Sequence, residues 1–77
     1  MPNPARLDAA LADYRTVESL LPNSHHVYYG LGECYRLKGA KVEAIRYFKK
    51  YLEAAPPGIP ERRVIEQRLI ELKSSGN

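Results

Sequence analysis

Residues 25–56 read HHVYYGLGECYRLKGAKVEAIRYFKKYLEAAP, and this stretch decides the fold. It holds two helical patterns parted by a tight turn. In the first, Tyr28, Leu31 and Tyr35 recur at steps of three and four, which puts them on one side of a helix. Gly32 lies beside them. A glycine inside a helix costs about 1 kcal/mol relative to alanine. Close passage of a neighbouring helix is a reason to keep one. Gly30 weakens the same helix a second time. Gly39 supplies the stop, with Lys38 in the last turn at the negative end of the helix dipole. The second pattern predicts a helix over Lys41–Ala54. Ala44, Ile45, Phe48 and Leu52 form its apolar stripe, with Tyr51 beside them. Ala44 is a small residue in a row of large ones, suited to a close crossing. Pro56 and Pro57 end the helix. Two helices on so short a link must fold back antiparallel.

The flanks repeat parts of this pattern. A shift of 34 residues superposes Ala10 on Ala44, Leu11 on Ile45, Tyr14 on Phe48 and Pro22 on Pro56. Self-similarity at a fixed period marks a repeat architecture. Residues 6–21 therefore read as the second helix of an incomplete preceding unit. Leu7, Leu11, Tyr14 and Val17 are expected on its buried side, with Ala10 at the close crossing. Asn3 is the expected cap of this helix, with Pro4 in its first turn. Pro22-Asn23-Ser24 is a turn in which Asn23 or Ser24 caps the next helix.

After the rigid segment PPGIP, residues 60–73 form a last helix. Ile65, Leu69 and Leu72 follow helical spacing, and Val64 adds to that row. Arg62, Arg63, Glu66, Arg68 and Glu71 are expected on the wetter sides. This helix does not repeat the central pattern: Arg62 stands where Tyr28 would, and Glu66 where Gly32 would. A terminal capping helix behaves in this way, covering the previous repeat and showing a polar outer side.

Tyr28, the Leu31-Gly32 pair, Tyr35, Gly39, Ala44, Phe48 and Pro56 together resemble the tetratricopeptide repeat (TPR), a helix-turn-helix unit of 34 residues. Lys41 departs from the family pattern, which has an aromatic there. Tyr51 stands where a small residue is usual, so looser or displaced packing against the next unit is expected. The resemblance implies an all-α fold of four helices, a short right-handed superhelical fragment of antiparallel hairpins. Its parts are residues 6–21, a complete repeat at 25–58 and the capping helix at 60–73. Half of the opening repeat is missing, so the chain reads as a C-terminal segment of a larger protein.

In that family, the first helices of successive repeats line a groove that holds an extended peptide or a helix of another protein. Carried onto this chain, the groove falls to His26, Tyr29, Glu33, Arg36 and Leu37. Spacing independently places the first four on one helix face. Tyr29 offers apolar contact with a hydroxyl, and Arg36 can meet a carboxylate with two donors. Some family members clamp a terminal carboxylate with lysine and asparagine. The matching places here hold Tyr29 and Glu33, so that role is not expected. The plainer reading of the same face is a solvated helix side with one aromatic against a neighbour.

The chain has 77 residues, which is one domain at most. Twelve Lys and Arg against nine Asp and Glu leave a formal charge of +3, mildly basic. Arg36, Lys38, Lys41, Arg46, Lys49 and Lys50 form the densest basic region. Its first reading is a solvated face. The alternative function class, a basic helical module contacting nucleic-acid phosphates, starts from these residues but lacks a recognition helix or an aromatic platform. The single Cys34 excludes an internal disulfide and reads as a structural thiol. His25 and His26 are adjacent, a poor geometry for shared ligation, so no metal is expected. There is no phosphate loop, nucleophile elbow or dinucleotide fingerprint, and no enzyme or cofactor is expected. No apolar run reaches membrane-spanning length. The residues before Leu7 lack a signal-peptide core, which leaves the compartment open, the cytoplasm slightly favoured. The expected partner is another protein, as a peptide or helix. A homodimer through exposed repeat ends is the second form of the same expectation, because solenoid units depend on neighbours.

Overall fold

The computed structural model describes residues 4–74 as four helices: α1 (Pro4–Leu20), α2 (His25–Lys38), α3 (Lys41–Ala54) and α4 (Glu61–Ser74). No strand occurs among the described residues. Each helix packs on the next in sequence, and the α2–α3 hairpin forms the most extensive interface. The fold is all-α and built of helical hairpins, as the patterning predicts. Asn3, the expected cap of α1, lies outside the described residues.

The turns follow local chemistry. Gly39 ends α2 in a left-handed conformation, φ 83°, and Ala40 N–H donates to the Tyr35 carbonyl at 2.9 Å. That closes the helix end with backbone groups, as glycine at this position allows. The α1–α2 turn differs from expectation. Ser24 occupies the N-cap position of α2, but its side chain makes no capping bond. Its carbonyl instead accepts the N–H groups of Val27 and Tyr28 at 3.1 and 3.2 Å. Asn23 is left-handed, φ 72°, and donates its own N–H to the Tyr28 hydroxyl at 3.2 Å. A core tyrosine, not a capping side chain, anchors this turn.

Leu31, Ala44, Phe48, Tyr51 and Ile65 form the centre of the core, with no exposed surface. Leu11, Tyr28, Tyr35 and Leu69 join them, and Leu7, Tyr14, Ile45 and Leu52 are half-buried. Two expected core residues are not in it. Val17 and Val64 are exposed, because each lies off the row that meets the neighbouring helix: Leu7–Leu11–Tyr14–Glu18 in α1 and Ile65–Leu69–Leu72 in α4. Tyr47, absent from the expected stripe, is buried instead. It belongs to the row Ala44–Tyr47–Tyr51–Ala55, at steps of three, four and four, which the structure buries throughout.

Tyr51 fills the place where a small residue was expected. Its hydroxyl donates to Glu61 at 2.7 Å, tying the end of α3 to the first turn of α4. Burial first, and then the Glu61 carboxylate, push this phenol up to about 12. Arg62 adds a second tie. Its guanidinium donates to the carbonyls of Leu52 and Ala55 at 2.8 and 2.9 Å, groups at the C-terminal end of α3.

The glycines of α2 have a direct packing explanation. A Cβ at Gly32 would stand 2.4 Å from the Phe48 ring of α3. A Cβ at Gly30 would stand 2.2 Å from the Tyr14 ring of α1. Each glycine lets an aromatic ring lie on the α2 backbone, one from either side. Overpacking costs about 1–3 kcal/mol, more than the ~1 kcal/mol of helix propensity that alanine returns. Gly32→Ala therefore lowers the midpoint of urea unfolding. Gly30→Ala lowers it less, because Tyr14 is half-buried where Phe48 is fully buried, and α1 meets α2 over a smaller interface than α3 does. Equal or raised midpoints for Gly32→Ala, measured by circular dichroism, would show that ring approach does not limit the packing.

Candidate protein-interaction surface

The five groove candidates sit on α2, and the structure divides them. Tyr29, Glu33 and Arg36 are half-buried on the side that α4 approaches. His26 and Leu37 are exposed near the two ends of the helix. Tyr29 meets the buried Tyr51 edge to face, centroids 6.1 Å apart, and His25 meets the same ring at 5.8 Å. Tyr51 thus supports this face from beneath and restricts how far Tyr29 can turn inward. His26 lies against His25, centroids 4.2 Å apart. Leu37 keeps 45% of its surface exposed.

Arg36 is not the free anion partner that the sequence suggests. Its Nε and a terminal nitrogen donate to the two Glu33 oxygens at 2.9 and 3.0 Å, a bidentate pair within one turn of helix. Arg68 of α4 approaches the same Glu33 oxygen at 3.3 Å, and its guanidinium also lies 3.9 Å from Glu71. Burial alone would raise the Glu33 carboxyl. The two guanidiniums outweigh that and hold it below its ordinary 4.5. Two arginines and two glutamates therefore make a charge-balanced cluster that joins α2 to α4. The surface presents a tyrosine, an exposed leucine and a fixed polar network, not an open cationic slot.

Arg68 and Tyr51 are parts of this site that sequence reasoning did not assign to it. Arg68 carries no local signal, since its partner lies one helical hairpin away. Tyr51 was visible as a bulky residue in an unusual place, but its support of Tyr29 needs the fold. The motif residues lie in the frame. Tyr28, Leu31, Gly32, Tyr35, Ala44 and Phe48 are buried, Ala10 and Tyr14 pack on the core, and Pro22 and Pro56 follow the ends of α1 and α3. Cys34 is buried. Burial and the Glu33 charge raise its thiol pKa, which disfavours the reactive thiolate. Among the described residues no three His, Cys, Asp or Glu side chains group as a metal site. Among the described residues no helix is long and apolar enough to cross a membrane.

No family model, curated protein or solved structure matches this chain.

The Glu33 cluster has a pH signature. A carboxyl whose folded pKa is depressed contributes stability above its unfolded value. It loses that contribution as pH falls through the folded value. Wild type should therefore lose urea stability below its ordinary 4.5 more steeply than Glu33→Gln. At neutral pH Glu33→Gln is the less stable, and the gap narrows in acid. Parallel curves from pH 7 downward would show that Glu33 carries no net pairing energy.

Proposed function

We propose that the chain is a non-catalytic interaction module of tetratricopeptide type. It takes a peptide or a helix of another protein on the side of α2 that faces α4. The observation that carries this reading is the pairing of Tyr29 and Leu37 with a polar network already in place. Tyr29 stands on Tyr51, and Glu33 is held by Arg36 and Arg68. A preorganised face orders few side chains when a partner arrives, which lowers the entropic cost of binding. Amphipathic aromatics beside an aliphatic contact are common anchors at such surfaces.

The repeat reading rests on the correspondence between α1 and α3. Tyr14 and Phe48, one period apart, both lie on α2 at a glycine. Ala10 and Ala44, also one period apart, are both packed in the core. A second chain is also an admissible occupant, since Leu20 at the end of α1 and Leu21 just past it are exposed.

Two measurements test the reading. Peptides selected from a displayed random library on the wild-type chain should bind Tyr29→Ala and Leu37→Ala at least tenfold more weakly, with helicity unchanged. That loss is the scale of one anchor residue, about 1.4 kcal/mol or more. Selected peptides indifferent to both substitutions would place binding elsewhere. For self-association, light scattering behind a sizing column gives the mass over a concentration series. A dimer lost in Tyr29→Ala puts the contact on this face; a dimer retained puts it at the end of the array.

A further inference from the structure

A second surface lies on the side of α2 that meets α1 and α3, and its chemistry differs from the balanced Glu33 face. Three tyrosines form a continuous ladder there. Tyr35 stacks flat on Tyr47, centroids 5.7 Å apart and planes within 5°. Tyr28 meets Tyr47 at 6.3 Å. Three cations from two other helices surround these rings. Arg46 lies 5.2 Å from the Tyr47 centroid. Lys50 lies 5.6 Å from Tyr28 and 5.5 Å from Tyr47. Arg15 lies 5.8 Å from Tyr35 and donates to its hydroxyl.

The cations are positioned without being neutralised. Among the described residues none of the three forms an ion pair with a carboxylate. The acids one turn away make no ion pair with them: Glu18 on α1 acts on Arg15 only through space, Glu43 stands three residues before Arg46 on α3, and Glu53 shares a surface cavity of about 340 Å³ with Lys50, Asn23, Tyr28 and Ala54. A ring face attracts a cation through its quadrupole but uses up none of its hydrogen-bond donors. Arg46 and Lys50 therefore retain donors for an incoming anion at fixed positions.

We propose that this tyrosine-mounted cluster of Arg15, Arg46 and Lys50 is a docking surface for an acidic peptide segment, a short run carrying several Asp or Glu side chains. Charge complementarity supplies the attraction. The size of the cluster fits the occupant. The ladder of ring centroids extends over two steps of 6.3 and 5.7 Å. An extended strand advances about 3.3 Å per residue, so alternate side chains repeat on that scale. The buried state of the rings argues against a nucleic-acid strand. Tyr28, Tyr35 and Tyr47 are 6–8% exposed, so their faces are not free for base stacking. The surface is independent of the Tyr29 face, and neither requires the other.

The test uses the full chain and a dye-labelled octapeptide of alternating glutamate and serine, followed by fluorescence anisotropy at low salt. Two variants with the same charge change are compared. One combines Arg15→Gln, Arg46→Gln and Lys50→Gln. The other combines Arg6→Gln, Arg63→Gln and Lys73→Gln, at exposed positions away from the rings. The first should weaken binding about tenfold, as expected for the loss of several exposed ion pairs, and the second less than twofold. Amide chemical shifts of the wild-type chain provide a reading that needs no variant. Titrated peptide should move Arg15, Arg46, Tyr47 and Lys50 and leave α4 still. Equal weakening by both triples, shifts spread over α4, or no binding at all would overturn the proposal. So would displacement of the peptide by a short DNA duplex at equal charge concentration, which would assign the cations to phosphates.

Discussion

Two aromatic rings lie against α2 where it has no side chains. Phe48 from α3 covers Gly32 and Tyr14 from α1 covers Gly30. The rest of the four-helix fold follows from this constraint. The rings fix how deeply α1 and α3 seat on the central helix, and so decide which of their other residues are buried. Leu11 in α1 and Ala44 in α3 are buried by the same approach. The approach is not free, since each glycine lowers the intrinsic helicity of α2. Packing on both sides has to restore it, so α2 depends on its neighbours as units of a repeat array do.

The fourth helix is held differently. Its apolar row is short, with only Ile65 and Leu69 buried. Polar ties supplement it: the Tyr51 hydroxyl to Glu61, Arg62 to two carbonyls at the end of α3, and Arg68 to Glu33. These ties fix direction more sharply than an apolar contact does, because each requires particular atoms at hydrogen-bonding or ion-pairing distance.

Sequence carried much of this fold and less of the surface. The rows Tyr28–Leu31–Tyr35 and Ala44–Phe48, the glycine stop at Gly39 and the prolines give local signals that depend on few distant partners. Gly30 looked like an argument against a helix. Only the ring of Tyr14, sixteen residues earlier, gives it a purpose. Tyr47 escaped because its row runs beside the one that Phe48 marks, and two overlapping rows on one helix are hard to separate by period. Arg36 was legible as a surface cation but not as a bound one. Its Glu33 partner lies three residues away, a spacing compatible with pairing, yet pairing depends on rotamers that Arg68 also influences from α4. Val17 and Val64 show the opposite error. Apolar type suggested burial, while position relative to the neighbouring helix left them exposed.

The central helix thus divides its surroundings by charge. On the α4 side, arginine and glutamate neutralise one another, and apolar and aromatic contact is left to Tyr29 and Leu37. On the α1 and α3 side, tyrosine rings hold Arg15, Arg46 and Lys50, which pair with no carboxylate among the described residues. The division follows from what each helix places opposite α2. On the α4 side Arg36 and Arg68 meet Glu33 and Glu71, whereas on α3 Glu43 and Glu53, each one helical turn from Arg46 or Lys50, form no ion pair with them among the described residues. Ring faces settle the remaining question of geometry. A solvated lysine or arginine samples many rotamers and pays for ordering when it binds. One already resting on Tyr47 has part of that ordering done by the core, so the same packing that buries the tyrosines also prepares the cations above them.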